Sequence, residues 1–155
     1  MATENQNSNH LLLDTLPSAK GLRFALVVSH WNSEITESLY EGAKNILSQK
    51  NATQIDRIDV PGSFELVYAS RSAIDRDYDA VIAIGSVIRG ETSHFDYVCQ
   101  GVTNGIQQLN ALGKTPVIFC VLTDDNLDQS RARSGGSLGN KGVEAAAAAI
   151  QMARL

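Results

Sequence analysis

The chain has 155 residues, of which 43% are hydrophobic and 19% charged, with seventeen acidic against thirteen basic side chains and a formal net charge of −4. A domain of about this length buries roughly 68–70% of the surface of its unfolded chain, enough for a core without disulfide or metal staples. The composition excludes a disordered or membrane-embedded chain, and an acidic balance with no Lys/Arg run among aromatics argues against a nucleic-acid partner.

The first ten residues, "MATENQNSNH", carry neither the basic flank nor the long apolar stretch of a secretory signal. No run approaches the ~18 apolar residues of a membrane span, so a cytoplasmic location is expected. "LLLDTLP" is an apolar piece too isolated to be a core element by itself. Residues 1–21 are expected to form a mobile tail and arm, able to pair with another chain's sheet edge, ahead of one domain over 22–155.

From Leu22 the pattern settles. "LRFALVVS" is an apolar run of strand length, and "SEITESLYEGAKNILSQK" places Ile35, Leu39, Ala43, Ile46 and Leu47 at helical spacing, with Asn32 or Ser33 as N-cap. The same strand-then-helix order recurs as "TQIDRIDVPG" with "SFELVYASRSAI", and as "DAVIAIGS" with "SHFDYVCQGVTNGIQQLN". It recurs once more as "TPVIFCVLT" with "DDNLDQSRAR" and "GVEAAAAAIQMARL". "AVIAIG" and "VIFCVL" read as parallel strands buried on both faces. The alternation predicts a single-domain α/β fold: a three-layer α/β/α sandwich around a doubly wound parallel sheet, with ligands bound beyond the carboxyl ends of the strands. Cys99 and Cys120 lie within apolar patterns without ligand spacing, so both are expected as buried thiols and no metal is expected.

The residues after each strand are therefore the candidates for chemistry. "GETS" opens the third helix, whose first N–H groups lack intrahelical partners; Thr92 and Ser93 either cap that helix or help hold a phosphate. His94 falls in the same first turn, where the helix end disfavours its charged form and leaves a neutral imidazole able to exchange protons; packing at the helix end is the alternative. Trp31 sits on the polar exit of the first strand, suited to stacking on a ring. Glu65 is either a ring-amine acceptor or a favourable first-turn carboxylate. "RARSGGSLGNKG" offers Arg131, Arg133 and Lys141 for a phosphate, or a solvated basic loop. Neither a P-loop nor a dinucleotide fingerprint is present.

Taken together, "VPGSFEL", "GSVIRGETSHFDYV", "PVIFCVLT" and "RSGGSLGNKGVEAA" resemble the lumazine synthase family from about Leu22 to Met152. The resemblance implies a flavodoxin-like fold and condensation of 5-amino-6-(D-ribitylamino)uracil with 3,4-dihydroxy-2-butanone 4-phosphate, giving 6,7-dimethyl-8-ribityllumazine, phosphate and water. It implies no cofactor, because the substrate supplies the attacking amine. By the same resemblance Trp31 stacks on the pyrimidine with Asn32 beside it, and Ser63 and Glu65 contact the ribityl chain and ring. Ser86, Val87 and Ile88 offer backbone contacts, and Glu91, Thr92 and Arg133 hold the phosphate, Arg133 being preferred to Arg131 by its distance from "GNKG". His94 carries protons, and Phe119 and Lys141 reach the site from a neighbouring subunit of a pentamer. Three departures stand out: Val67 where the family often has proline, Trp31 where it mostly has phenylalanine, and Glu91, whose carboxylate must turn away from a bound anion. The competing readings are an archaeal-type riboflavin synthase, a non-catalytic flavin or lumazine carrier, a receiver domain, and a shell of pentamers; the first strand's exit lacks a receiver's acidic cluster, and no insertion interrupts "SGGSLGNKG".

Overall fold

The computed structural model describes residues 13–155. Four strands, β1 (Arg23–Ser29), β2 (Gln54–Val60), β3 (Ala80–Ile88) and β4 (Val117–Asp124), form one parallel sheet in the order β2-β1-β3-β4. The helices that flank them are α1 (Ser33–Gln49), α2 (Leu66–Ile74), α3 (His94–Leu112), α4 (Leu127–Arg133) and α5 (Lys141–Met152). Side chains alternate across a strand, so β1 feeds two cores. Phe24, Leu26 and Val28 pack with Leu39, Leu47, Ala146 and Ile150 of α1 and α5, whereas Ala25 and Val27 pack with Leu66, Ala73, Val102 and Ile106 of α2 and α3. This is the expected three-layer α/β/α sandwich of flavodoxin-like type. Complete burial of each large aliphatic here contributes about 1.5–3 kcal/mol.

Glycines and alanines set how closely the helices approach. Gly142, in the first turn of α5, lies against the Leu39 carbonyl of α1, where a side chain has no room. Gly101 and Gly105 of α3 receive the Phe64 ring and Val67. α3 buries one apolar stripe at helical spacing: Phe95, Val102 and Ile106 are buried, and Val98 and Leu109 pack against the same core.

The structure departs from the sequence reading at several points. Ser63–Glu65 is a separate 3-10 turn before α2, so the second helix starts three residues later than its sequence suggests. β4 is an edge strand whose two faces feed both cores, Cys120 and Leu122 on one side and Val117 and Val121 on the other, as expected for "VIFCVL", except that Phe119 is 41% exposed. The glycine-rich connection folds into a two-stranded ribbon, β5 (Ser134–Gly136) with β6 (Gly139–Asn140), made possible by the positive φ of Gly135 and Gly139. Cys120 is buried, and burial pushes its thiol up to about 12, but Cys99 is only half-buried.

Of the expected N-terminal tail and arm, residues 1–12 lie outside the described residues. The remainder packs on the domain: Leu16 and Ala19 join the core, and Lys50 Nζ donates to the carbonyls of Leu13 and Leu16 at 2.9 and 3.0 Å. Among the described residues no helix is long and apolar enough to cross a membrane.

Candidate active site

The strand order reverses between β1 and β3, and their carboxyl ends frame a crevice, the position where open α/β sheets bind ligands. Directly after β1, Asn32 adopts a left-handed conformation at φ 57 and precedes α1 without capping it through its side chain. Its amide instead crosses the crevice, Nδ2 donating to the Ser86 carbonyl at 2.9 Å. The predicted cap is thus replaced by a tie between the two strand ends. Trp31 is left 72% exposed at the rim.

The second wall comes from the turn after β2. A Cβ on Gly62 would lie 3.0 Å from Glu65 Oε2 and 3.4 Å from Trp31 Cδ1, so this glycine lets the carboxylate and the indole converge. Glu65 makes no side-chain cap to α2. Gly85 plays the same part in β3, where a Cβ would stand 2.6 Å from Ser63 Oγ. The hydroxyls of Ser63 and Ser86 are buried without a hydrogen-bond partner, as are those of Ser29, Thr36 and Ser70, but of these five residues Ser63 and Ser86 line the crevice.

The third wall is the start of α3. Arg89 fixes the turn before it, pairing with Asp125 at 2.9 Å and Asp96 at 3.2 Å while its guanidinium lies 4.1 Å from the Phe95 ring centroid. Ser93 provides no side-chain cap, and the His94 N–H reaches Thr92 Oγ1 only at 3.4 Å. The N–H groups of Asp96 and Tyr97 donate to the Ser93 carbonyl at 3.1 and 3.3 Å, so in this turn the His94 N–H, with its long bond, and the Phe95 N–H are the ones left for an anion. The resulting cleft, about 640 Å³, is lined by Trp31, Asn32, Ser63, Glu65, Ser86, Val87, Ile88 and His94, together with Gly62, Phe64, Tyr97 and Val98. Its volume falls within the range of small-molecule sites. Glu91 and Thr92 are exposed on the turn and lie outside this lining.

Phe119, Arg133 and Lys141 are brought together elsewhere, in a second cleft of about 660 Å³ along β4 that shares no lining residue with the first. There Lys141 Nζ pairs with the Glu144 carboxylate at 2.6 Å, and Arg133 Nη1 donates to the Gln129 carbonyl at 2.9 Å. Arg131 stands outside this cleft, held by both carboxylate oxygens of Glu34 at 2.8 and 3.1 Å. That pairing keeps the Glu34 carboxyl below its ordinary value.

Sequence reasoning missed Tyr97, although it stands three residues after His94 and therefore on the same helical face. It also missed Asp124, Gln129 and Glu144 in the second cleft, which come together only through the packing of α4 and α5 beside β4.

Residues 21–155 match the family described as 6,7-dimethyl-8-ribityllumazine synthase. The chain is 53% identical to a protein of that name from Christiangramia forsetii, with 100% of this chain and 95% of the relative aligned. It is 56% identical to one from Flavobacterium johnsoniae over 99% of this chain and 82% of the relative. A third, from Porphyromonas gingivalis, is 48% identical over 100% of this chain and 98% of the relative. The reversed strand order, the crevice with its unpaired serines and histidine, and a likeness covering nearly the whole sequence lead to one assignment: the chain belongs to the 6,7-dimethyl-8-ribityllumazine synthase family.

Proposed function

We propose that this chain condenses 5-amino-6-(D-ribitylamino)uracil with 3,4-dihydroxy-2-butanone 4-phosphate to give 6,7-dimethyl-8-ribityllumazine, phosphate and water. The ring amine adds to the ketone and water leaves as the imine forms; phosphate is then eliminated, and the ribityl-bearing nitrogen closes the second ring with loss of a further water. The protein orients two molecules and moves protons, and orientation alone supplies up to about 7–11 kcal/mol in favourable cases.

The observation that carries this reading is the crevice between β1 and β3, where a flat aromatic, a free carboxylate, two unpartnered hydroxyls and an imidazole line one volume. Trp31 stacks on the pyrimidine beside Asn32, while Ser63 and Glu65 take the ribityl hydroxyls and ring N–H groups. Ser86, Val87 and Ile88 present backbone groups to the ring. His94 shuttles protons at the carbon that loses phosphate, an effect typically worth about 10²–10⁴-fold. The main chain of Glu91 and the hydroxyl of Thr92 receive the phosphate at the start of α3.

Arg133, Phe119 and Lys141 complete the site from a second copy in a homo-oligomer built of pentamers. Their separation from the first cleft within one chain supports this, as do the exposed aromatics Phe64, Tyr68 and Tyr97, at 60%, 83% and 73%. Side chains of that size left exposed on one subunit suit a subunit interface.

The test is an assay of the purified protein with both substrates and no added metal or cofactor, following lumazine absorbance and phosphate release. Equal amounts of lumazine and phosphate are expected. Tight binding of the ribityl-pyrimidine without turnover would replace the synthase reading with a carrier.

A further inference from the structure

Asp124 is a buried carboxylate to which the reaction outlined above gives no part. It ends β4 at 7% exposure, and its carbonyl accepts from the Arg89 N–H at 3.0 Å, which anchors it to the end of β3. Its side chain turns toward α4. Oδ2 accepts from Ser130 Oγ at 2.8 Å, and Oδ1 lies 3.8 Å from Arg133 Nε. A carboxylate is costly to bury unless charge and hydrogen bonds compensate it, and here one cation and one hydroxyl of the same short helix do so.

We propose that Asp124 is a positioning residue whose charge, facing Arg133 Nε, steers the guanidinium so that Nη2 is presented to the phosphate of the phosphorylated ketone. This rests on Arg133 being the phosphate ligand proposed above. A guanidinium has five N–H donors in a rigid plane. Nη1 is hydrogen-bonded to the Gln129 carbonyl and Nε faces Asp124 across 3.8 Å, so one bond and one charge contact orient that plane while Nη2 keeps its donors. The 3.8 Å separation exceeds the 2.7–2.9 Å of a closed charge-assisted bond, so the carboxylate orients the fork without occupying it. Arg131 shows the opposite arrangement: Glu34 takes both its Nε and its Nη2, leaving that bidentate edge already filled.

A carboxylate this near an incoming phosphate also repels it, so the two effects predict opposite signs for its neutralisation. The experiment measures the KM of each substrate, kcat, and inhibition by inorganic phosphate in the intact enzyme. If Asp124 positions Arg133, Asp124→Asn raises the KM for the phosphorylated ketone on the order of 5- to 20-fold. It weakens phosphate inhibition in parallel and leaves kcat and the pyrimidine KM within about twofold. Arg133→Ala has at least the same effect, and the double variant is no worse than Arg133→Ala alone. Asp128→Asn, 92% exposed on the same helix, changes none of these constants. An unchanged or lowered ketone KM in Asp124→Asn overturns the proposal, as does an equal loss for both substrates. Should Arg133→Ala itself leave the ketone KM and phosphate inhibition unaltered, the assignment of Arg133 fails first and takes this proposal with it. If Asp124→Asn does not fold, Ser130→Ala, which frees the carboxylate from its second anchor, is expected to raise the ketone KM selectively by about 2- to 5-fold, and no rise refutes the idea.

Discussion

Asn32 joins local conformation to the shape of the crevice, and two substitutions separate its contributions. Asn32→Gly removes the 2.9 Å bond to the Ser86 carbonyl but accommodates a φ of 57 without strain. Its cost is that of one hydrogen bond, about 1 kcal/mol. Asn32→Ala loses the same bond and also places in the left-handed region a residue without asparagine's tolerance of it, adding about 1–2 kcal/mol. The totals are about 1 kcal/mol for glycine and about 2–3 kcal/mol for alanine. With a urea m-value near 2 kcal/mol/M, the unfolding midpoint drops by about 0.5 M in the first variant and about 1–1.5 M in the second. Midpoints are compared at one subunit concentration, because assembly would otherwise shift them. Both variants also weaken binding of a ribityl-pyrimidine analogue, since the strand ends are no longer tied beneath Trp31. Equal midpoint shifts for glycine and alanine would show that the backbone conformation carries no penalty, and unchanged midpoints in both would remove the bond to Ser86 from the stability of the crevice.

His94→Ala is expected to lower kcat by about 10²- to 10⁴-fold with little change in affinity for the pyrimidine; an unaltered kcat in steady-state assays would remove it from proton transfer. Gly142→Ala should destabilise the fold by about 3 kcal/mol, read as a lowered melting temperature, because its methyl group meets the Leu39 carbonyl. Hydrogen bonds from Arg57 hold the carboxyls of Glu37 and Asp59 below their ordinary values. A depressed folded value stabilises above the ordinary carboxylate range and ceases to do so as pH falls through it. Glu37→Gln should therefore cost up to about 1 kcal/mol at pH 7, given the exposure of the pair, and progressively less as pH falls below the ordinary carboxylate range, measured by denaturant titration at each pH. Cys120, with its thiol raised to about 12 by burial, should resist a thiol reagent at pH 8 until the protein unfolds, whereas labelling at the rate of a free thiol would contradict its burial.

The chain's apolar runs and helical stripes carried the α/β order, the parallel sheet and the segments at which ligands bind. These features follow from spacing along the chain, and a strand such as "LRFALVVS" has few other ways to bury both its faces. The motifs likewise named His94, Trp31, Asn32, Ser63, Glu65 and Ser86, all of which line one cleft. Tertiary structure decided what those residues do to one another. Asn32 at the head of a helix carries the composition of a cap, yet its left-handed backbone sends the amide to Ser86, a partner 54 residues away. Arg131 and Arg133 are equivalent as letters in "RARS", but two positions along a helix turn them to different faces, one onto Glu34 and the other into the cleft with Phe119 and Lys141. Phe119 is exposed although Val117 and Val121, on the same face of the same strand, are buried, so its exposure is set by what packs over that point of β4 rather than by the strand's own pattern. Asp124 acquires its part in the same way: Ser130 and Arg133 meet its carboxylate only because α4 folds back beside β4. Periodicity along a sequence records which face of an element is buried, whereas contacts between elements are set by three-dimensional packing.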